Sequence, residues 1–261
     1  MASIDQKLIF DIGMHIGEDT QYYLKRGYKV LAVEANPTLV EQNKHLFKRF
    51  IESGQLTMLN VGIAAQEGEL TFYVNHHTSE WSSFDKEIGT RNNSSYHTVK
   101  VHCTTTRELF KQYGIPYYLK VDIEGFDHLC LQDIPGGPGE VKPRFVSCEA
   151  VHLDWLGILA GKGYTKFKII NQVNNFRPLV VKEESSKFFC TILRKKKRWK
   201  TFLQQHFHFD FPIGSTGPFG NDSKGDWLTY DETAKLFLAF YNNSSGAPLN
   251  NTSWFDFHAT Y

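Results

Sequence analysis

The stretch IFDIGMHIGEDT, at residues 9–20, decides the predicted fold of this chain. An apolar strand ends at Asp11, Gly13 and Gly17 follow, and a helix then begins. Glycines at such a turn let a ligand approach the backbone, although a tight strand-to-helix turn also needs glycine for steric reasons alone. The spacing D-x-G-x-x-x-G differs from the G-x-G-x-x-G of dinucleotide-binding enzymes. The acidic residue in the turn suits a cationic ligand better than a pyrophosphate.

A second stretch, VLAVEANP at residues 30–37, ends a buried strand on Glu34. A carboxylate at the end of the second strand of a doubly wound sheet can accept hydrogen bonds from the hydroxyls of a ribose. Taken alone, Glu34 is equally well explained as an exposed carboxylate beside the helix that Pro37 opens. Together with the turn at Asp11, Glu34 predicts a nucleoside site with a positively charged sulfonium nearby.

Apolar runs rich in β-branched residues alternate with helical patterns on both sides of these stretches, which is typical of parallel strands joined by crossover helices. We predict strands at residues 7–12, 29–34, 55–60, 98–103, 117–122 and 144–149. Apolar residues recur at helical spacing in residues 18–26 and 38–52. The predicted fold class is α/β, a Rossmann-like, doubly wound and mostly parallel sheet with helices on both faces.

The segment between the third and fourth predicted strands has two unusual parts. Gln66-Glu67-Gly68 separates two strand-like runs and predicts a hairpin. Residues 75–97 are polar and too numerous for a simple connector, and loops of that length are often lids over a site.

The pattern changes near residue 195, where residues 194–200 form the basic cluster RKKKRWK. Such a cluster is usually a solvated face, and the alternative is a patch for phosphate or a nucleotide-sugar. We predict a cofactor-binding domain at residues 1–195 and a C-terminal extension at residues 196–261 that packs on it and shapes the acceptor pocket. The many aromatic residues of the last third either stack on ring faces of a ligand or pack in the core.

Composition narrows the classes of partner. The 261 residues carry 29 Lys plus Arg and 28 Asp plus Glu, a net charge of +1, which makes nucleic acid an improbable main partner. The N-terminus has no signal-peptide pattern, and no run approaches the ~20 apolar residues of a membrane span, so we expect a cytoplasmic protein. The four cysteines are widely spaced and are expected to be reduced, buried thiols. Nothing in the sequence indicates the oligomeric state.

A third stretch, YYLKVDIEGFD at residues 117–127, places Asp122 and Glu124 at the carboxyl end of a predicted strand. Ligands bind at that end of the strands in open α/β sheets, so both side chains are candidates for binding or chemistry. Glu124 has the alternative of capping the helix or pairing with a basic side chain.

A fourth stretch, FVSCEAVHLDW at residues 145–155, carries Glu149 and then His152 at the end of another predicted strand. Both side chains can face the same crevice. Histidine suits the removal of a hydroxyl proton near neutral pH, although one histidine among eleven is more often structural.

These stretches resemble the FkbM-type methyltransferases, a branch of the Rossmann-like methyltransferases that use S-adenosylmethionine. The resemblance covers most of residues 7–155. The matching motifs are DIGMHIGEDT, VLAVEANP, LNVGIAAQEGELTFYVN, EWSSFD, TTTRELF and LKVDIEGFD. GPFG and WFDFHA near the C-terminus are similar to the tails of some longer members.

The resemblance implies that Asp11, Gly13 and Gly17 form the cofactor turn, that Glu34 holds the ribose, and that the Ser82-Ser83 segment approaches the methionine end. It also implies an active-site role for Asp122 and Glu124 and an oxygen as methyl acceptor, on a sugar or another secondary metabolite. The residues predicted to bind the cofactor are Asp11, Gly13, His15, Gly17, Thr20, Glu34, Asn36, Asn60, Ser82, Ser83 and Asp122.

For catalysis we predict that Asp122 positions the acceptor hydroxyl and that His152 or Glu149 acts as the base, with Glu124 and His152 contacting the substrate. Mg²⁺ is compatible with Asp122, Glu124 and Glu149 as ligands, but no spacing requires a metal. The alternatives are an NAD(P)-dependent oxidoreductase, which Asp11 argues against, a non-catalytic S-adenosylmethionine-binding protein, and an RNA methyltransferase that uses the basic cluster with Trp199.

Overall fold

The computed structural model describes residues 3–173, 175–180, 209–212, 214–242 and 254–261. In these ranges the strands are β1 (Ile4–Ile12), β2 (Lys29–Val33), β3 (Leu56–Leu59), β4 (Gly62–Ile63), β5 (Gly68–Asn75), β6 (Tyr96–Thr104), β7 (Ile115–Val121), β8 (Phe145–Glu149), β9 (Lys166–Asn171) and β10 (Phe255–Thr260). The α-helices are α1 (Glu18–Lys25), α2 (Pro37–Leu46), α3 (Lys48–Glu52), α4 (Lys86–Gly89), α5 (Thr106–Tyr113), α6 (Asp127–Asp133), α7 (Leu153–Gly161) and α8 (Tyr230–Asn242). None of the helices in these ranges is long and apolar enough to reach across a lipid bilayer.

Seven of the described strands form one sheet in the order β3-β2-β1-β7-β8-β10-β9. The ladders β3-β2-β1-β7-β8 are parallel, and β10 runs antiparallel to both β8 and β9. The predicted doubly wound, mostly parallel α/β fold is therefore confirmed. The chain reverses its winding direction between β1 and β7, and at such a switch point the carboxyl ends of the strands leave a crevice.

Both faces of the sheet are covered, which explains why the central strands are mostly apolar. On one face Phe10 of β1 and Leu119 of β7 pack with α5, α6, α7 and α8. On the other face Tyr118 of β7 packs against Tyr23 of α1, and Phe219 stacks on the Tyr118 ring at 4.0 Å between centroids.

The predicted hairpin at Gln66-Glu67-Gly68 is wrong. In the small sheet β6 lies between β4 and β5, parallel to the first and antiparallel to the second. Both Gly62 and Gly68 lie beside Cys103 of β6, so the chain reverses direction while it crosses β6, and β4 and β5 do not pair with each other. The strand predicted at residues 98–103 exists, but it belongs to this small sheet and not to the parallel one.

The predicted C-terminal extension supplies a strand to the main sheet. β10 lies between β8 and β9, and Phe257 and Ala259 of β10 are fully buried. The sequence pattern had indicated neither β9 nor β10 as strands. Cys103, Cys130 and Cys148 are free, buried thiols, whereas Cys190 and the basic cluster at residues 194–200 lie outside the described residues.

Candidate active site

The carboxyl ends of β1, β2, β7 and β8 open into one cavity of about 790 Å³. That volume is within the range of sites for small molecules and cofactors. The predicted site residues that line it are Gly13, His15, Glu34, Ser82, Asp122, Glu124, Glu149 and His152. The predicted site residues that do not line it are Asp11, Gly17, Thr20, Asn36, Asn60 and Ser83.

The turn after β1 needs glycine because of the backbone beside it. Gly13 has a φ of +84°, and a Cβ there would lie 1.8 Å from the carbonyl oxygen of Asp122. Its N–H donates to the Val33 carbonyl oxygen at 2.9 Å, which ties the turn to the end of β2. Gly17 has a φ of +87°, and a Cβ there would lie 2.5 Å from the Phe47 ring. Close packing therefore explains both glycines.

Glu34 is held at the end of β2 by two backbone donors. One carboxylate oxygen accepts from the N–H of His15 and the other from the N–H of Asn36, each at 2.8 Å. Burial raises the pKa of this carboxyl, and the two backbone hydrogen bonds act in the opposite direction. Each oxygen retains a second acceptor position. Glu34 is thus a fixed acceptor on the cavity wall.

Two asparagines support Glu34 from behind the wall. Asn36 caps α2 by accepting from the N–H of Thr38 at 3.0 Å. The side-chain amide of Asn60 donates to the carbonyl oxygen of Glu34 at 2.9 Å. Both residues position the strand end and line no part of the cavity.

Asp11 is paired inside the protein. It is fully buried, accepts from the Thr20 hydroxyl at 2.5 Å, and forms an ion pair with Lys120 at 3.1 Å. The Lys120 ammonium also donates to the carbonyl oxygen of Gly13 at 2.6 Å and lies 3.7 Å from Asp122. Burial alone would lower the pKa of Lys120, but the charges of Asp11 and Asp122 hold it well above the ordinary value.

Sequence reasoning missed Lys120, which gives Asp11 a protein cation as its partner. One signal was available, because Lys120 lies two residues before Asp122 on the same strand. Side chains two residues apart on a strand point to the same face, so they share the crevice.

Asp122 and Glu124 lie where the chain leaves β7. Glu124 has a φ of 47°, and its carboxylate forms a hydrogen-bonded ion pair with the guanidinium of Arg91. Burial and the neighbouring Asp122 charge raise the pKa of Glu124 to about 7, against the effect of Arg91. The sequence alternative that Glu124 pairs with a basic side chain is confirmed.

Glu149 ends β8 on the same wall. Burial, followed by the charges of Asp122 and Glu124, raises the pKa of Glu149 well above its usual range. Its carboxylate forms no hydrogen bond or ion pair with any described residue. His152 is exposed at the mouth of the cavity, with its ring 5.3 Å from the Trp155 ring.

Asp127 joins the ends of β7 and β8. This fully buried residue accepts from the N–H of Ile123 at 3.3 Å and from the N–H of Glu149 at 3.4 Å. Burial, together with the charge of Asp122, raises the pKa of Asp127 to about 7. Sequence analysis did not single out Asp127, because its partners are backbone groups that only the fold brings together.

The segment between β5 and β6 covers the cavity. His15 and Ser79 form a side-chain hydrogen bond of 2.8 Å, which joins this segment to the turn after β1. The hydroxyl of Ser83 donates to the carbonyl oxygen of Glu124 at 3.0 Å, and the hydroxyl of Ser82 accepts from the N–H of Asn75 at 3.1 Å. The two serines therefore fasten the segment.

Among the residues that the structure describes, no group of three or more His, Cys, Asp or Glu side chains is arranged to hold a metal ion. Asp122, Glu124 and Glu149 line one cavity without such a cluster.

Comparison with known proteins gives a family match over more than half of the chain. Residues 11–166 match the model of the methyltransferase FkbM domain. No curated protein matches the chain.

Several solved structures match part of the chain. The methyltransferase FkbM from Methylobacillus flagellatus KT is 17% identical with a TM-score of 0.45, and the match covers 68% of this chain and 42% of that one. The chain thus spans less than half the length of that protein. A precorrin-6y C5,15-methyltransferase from Geobacter metallireducens GS-15 is 12% identical with a TM-score of 0.36, over 67% of this chain and 74% of that one. A TehB-like SAM-dependent methyltransferase from Corynebacterium glutamicum is 12% identical with a TM-score of 0.36, over 69% and 77%.

Proposed function

Because the chain belongs to the FkbM methyltransferase domain family, we propose that it transfers a methyl group from S-adenosylmethionine to a hydroxyl of a sugar or another small metabolite. The observation that carries this proposal is that Glu34, Asp122 and Glu149 line one cavity. A fixed acceptor for a nucleoside and the carboxylates suited to an acceptor hydroxyl therefore share one space. Family membership also favours methyl transfer over hydride transfer with a nicotinamide cofactor.

The cavity residues at the ends of β1 and β2 fit S-adenosylmethionine. Glu34 keeps one acceptor position on each oxygen for the ribose hydroxyls. The Gly13 backbone lies on the wall without a side chain to obstruct a ligand. When bound, the cofactor supplies an activated methyl group on a positively charged sulfur, and Asp122 provides a negative charge on the same wall.

At the ends of β7 and β8, Asp122 positions the acceptor hydroxyl, and a neighbouring side chain accepts the proton of that hydroxyl. The two candidates for that base are Glu149 and His152, both on the wall. Proton removal by a placed base typically contributes about 10²–10⁴-fold to the rate. Holding the two reactants in line supplies much of the remaining acceleration.

The C-terminal part of the chain completes the acceptor pocket. Gly214, Trp254 and Phe255 line the cavity. The extension that begins at residue 196 therefore shapes the pocket for the acceptor, and differences there would change which acceptor is bound.

Titration calorimetry with S-adenosylmethionine and S-adenosylhomocysteine tests the cofactor assignment. We expect the wild type to bind both and Glu34→Ala to bind at least tenfold more weakly, while the Glu41→Ala control on the exposed surface of α2 binds as the wild type does. Circular dichroism checks that each variant is folded, and Glu34→Gln replaces Glu34→Ala if the latter does not fold. No binding by folded wild type would overturn the proposal.

A further inference from the structure

The acceptor half of the cavity, which we define as the wall formed by Asp122, Glu124, Glu149, Trp81 and Trp254, is rich in acidic side chains. Among the described lining residues the only Lys and Arg are Lys120 and Arg91. Lys120 is engaged with Asp11 and Asp122, and Arg91 with Glu124. Glu149 therefore has no positive partner among the residues that the structure describes.

One cation is already bound on this wall by a carboxylate and an aromatic face. The guanidinium of Arg91 pairs with Glu124, and its central carbon lies 4.9 Å from the centre of the Trp81 ring. A cation over an indole face is attracted by the ring quadrupole. Arg91 thus illustrates the kind of group that this wall accepts.

Glu149 is a second carboxylate on this wall, and by strand alternation Trp254 lies on the same face as Asp256, the residue paired with Glu149. The N–H of Ala150 donates to the carbonyl oxygen of Phe255 at 2.8 Å, so Glu149 and Phe255 lie on adjacent strand ends. Trp254 precedes Phe255, lines the cavity and is 49% exposed. No described residue contributes a cation here, in contrast to Arg91 at Glu124.

Two further acidic residues lie beside Glu149. Asp256 is its direct partner across the β8–β10 ladder and is 2% exposed. Asp127 accepts from its backbone N–H. Burial, followed by the charges of neighbouring carboxylates, raises the pKa of Glu149, and a cation bound beside it would favour its ionised form.

We propose that the methyl acceptor carries a cationic group, such as a protonated amine, that binds to Glu149 and packs against Trp254. This inference rests on the proposed function and narrows its substrate class. Acceptors with a phosphate or carboxylate near the reacting hydroxyl are disfavoured, because they would bring a negative charge to Glu149. Binding a cation at Glu149 leaves His152 to accept the hydroxyl proton.

Matched acceptor analogues test this charge preference. The probes are two series that differ mainly in charge: glucosamine, glucose and glucuronate, and tyramine, 4-ethylphenol and 4-hydroxyphenylacetate. Their binding to the protein saturated with S-adenosylhomocysteine is measured by calorimetry. In at least one series we expect the cationic member to bind at least tenfold more tightly than the anionic member, a difference of about 1.4 kcal/mol.

Variants then assign the preference to Glu149. Glu149→Gln should remove most of the difference between cationic and anionic members, whereas Glu52→Gln, a change on the exposed end of α3, should leave it unchanged. Equal affinities, a reversed order, or no binding of either amine to the saturated protein would overturn the inference. If S-adenosylhomocysteine itself does not bind, the proposed function fails first, and the titration without analogue reveals that separately.

Discussion

At the residue scale, Lys120 determines the charge state of the crevice. It lies between Asp11 and Asp122 and is 3% exposed. Two carboxylates this close to one another would repel without a cation between them. Lys120, which the sequence analysis did not identify, therefore stabilises these two carboxylates in the folded protein.

Replacing Lys120 by methionine should be strongly destabilising. The change leaves Asp11 buried with the Thr20 hydroxyl as its one remaining partner among the described residues, and breaking a buried pair in this way costs about 3–5 kcal/mol. Urea unfolding followed by circular dichroism measures the loss. Lys48→Met, at a side chain that is 74% exposed, serves as the control and should change stability by less than about 0.5 kcal/mol. Equal effects of the two substitutions would contradict the buried ion pair.

Asp127 gives a pH-dependent prediction. Burial raises the pKa of Asp127 to about 7 in the folded protein, whereas its ordinary pKa is 3.8. Between these two pH values, the folded protein therefore holds a proton that the unfolded chain has released. The unfolding free energy of the wild type should therefore fall, relative to that of Asp127→Asn, as pH rises from about 4 to about 7. The slope of this difference is at most about 1.4 kcal/mol per pH unit.

Urea unfolding at several pH values measures both proteins. The amide also loses an acceptor for one of the two backbone donors, but that loss does not vary with pH. Parallel stability curves for the two proteins would show that Asp127 is not protonated in the folded state.

At the scale of single elements, the turn between β1 and α1 is limited by packing and not only by its backbone angles. Gly13 and Gly27 have similar φ values, +84° and +80°. A Cβ at Gly13 would collide with the backbone of Asp122, whereas a Cβ at Gly27 would meet nothing within 4 Å. Comparing the same substitution at the two positions therefore separates the cost of a left-handed backbone from the cost of a close contact.

Gly13→Ala should destabilise the protein far more than Gly27→Ala. Both pay the cost of a left-handed residue, about 1–2 kcal/mol, but only Gly13→Ala must also push β1 away from β7. We expect an additional loss of about 2 kcal/mol or more at Gly13, measured by thermal or urea unfolding. Similar losses at both positions would mean that the close approach of the turn to β7 is unimportant for stability.

At the scale of the whole molecule, β10 makes the two predicted parts of the chain interdependent. It lies between β8 and β9, so the edge of the parallel sheet depends on a strand from the last residues of the sequence. Asp19 of α1 also accepts from the N–H groups of Thr216 and Gly217, at 2.9 and 3.0 Å. The C-terminal segment is thus anchored both in the sheet and on the helix beside the cavity.

Phe257→Ala should lower the stability of the entire chain. Phe257 is fully buried in β10, and truncating such a ring costs about 3–5 kcal/mol. Unfolding followed by circular dichroism and by tryptophan fluorescence should give coincident transitions at a lower urea concentration. Leu238→Ala, at a residue 43% exposed on α8, is the control and should have a much smaller effect. A separate early transition would instead indicate that the C-terminal part unfolds independently.

The sequence by itself determined the fold class and much of the cavity wall. Strand ends can be predicted because apolar runs stop at polar residues, and parallel strands bring those ends to one edge of the sheet. This local rule is enough to place Glu34, Asp122 and Glu149 on one cavity. The turn glycines were predictable for the same reason, since a tight strand-to-helix turn limits the residues that can occupy it.

Only the tertiary structure decided which groups are paired and which strands are neighbours. The ion pair of Asp11 with Lys120 joins residues on two strands far apart in sequence. The contacts of Asp127 depend on backbone N–H groups at the ends of β7 and β8. The hairpin prediction was wrong, and β10 was not predicted, because the neighbours of these strands are also distant in sequence. Local sequence limits the conformation of a segment, but pairing between distant segments depends on how all the apolar faces are buried together.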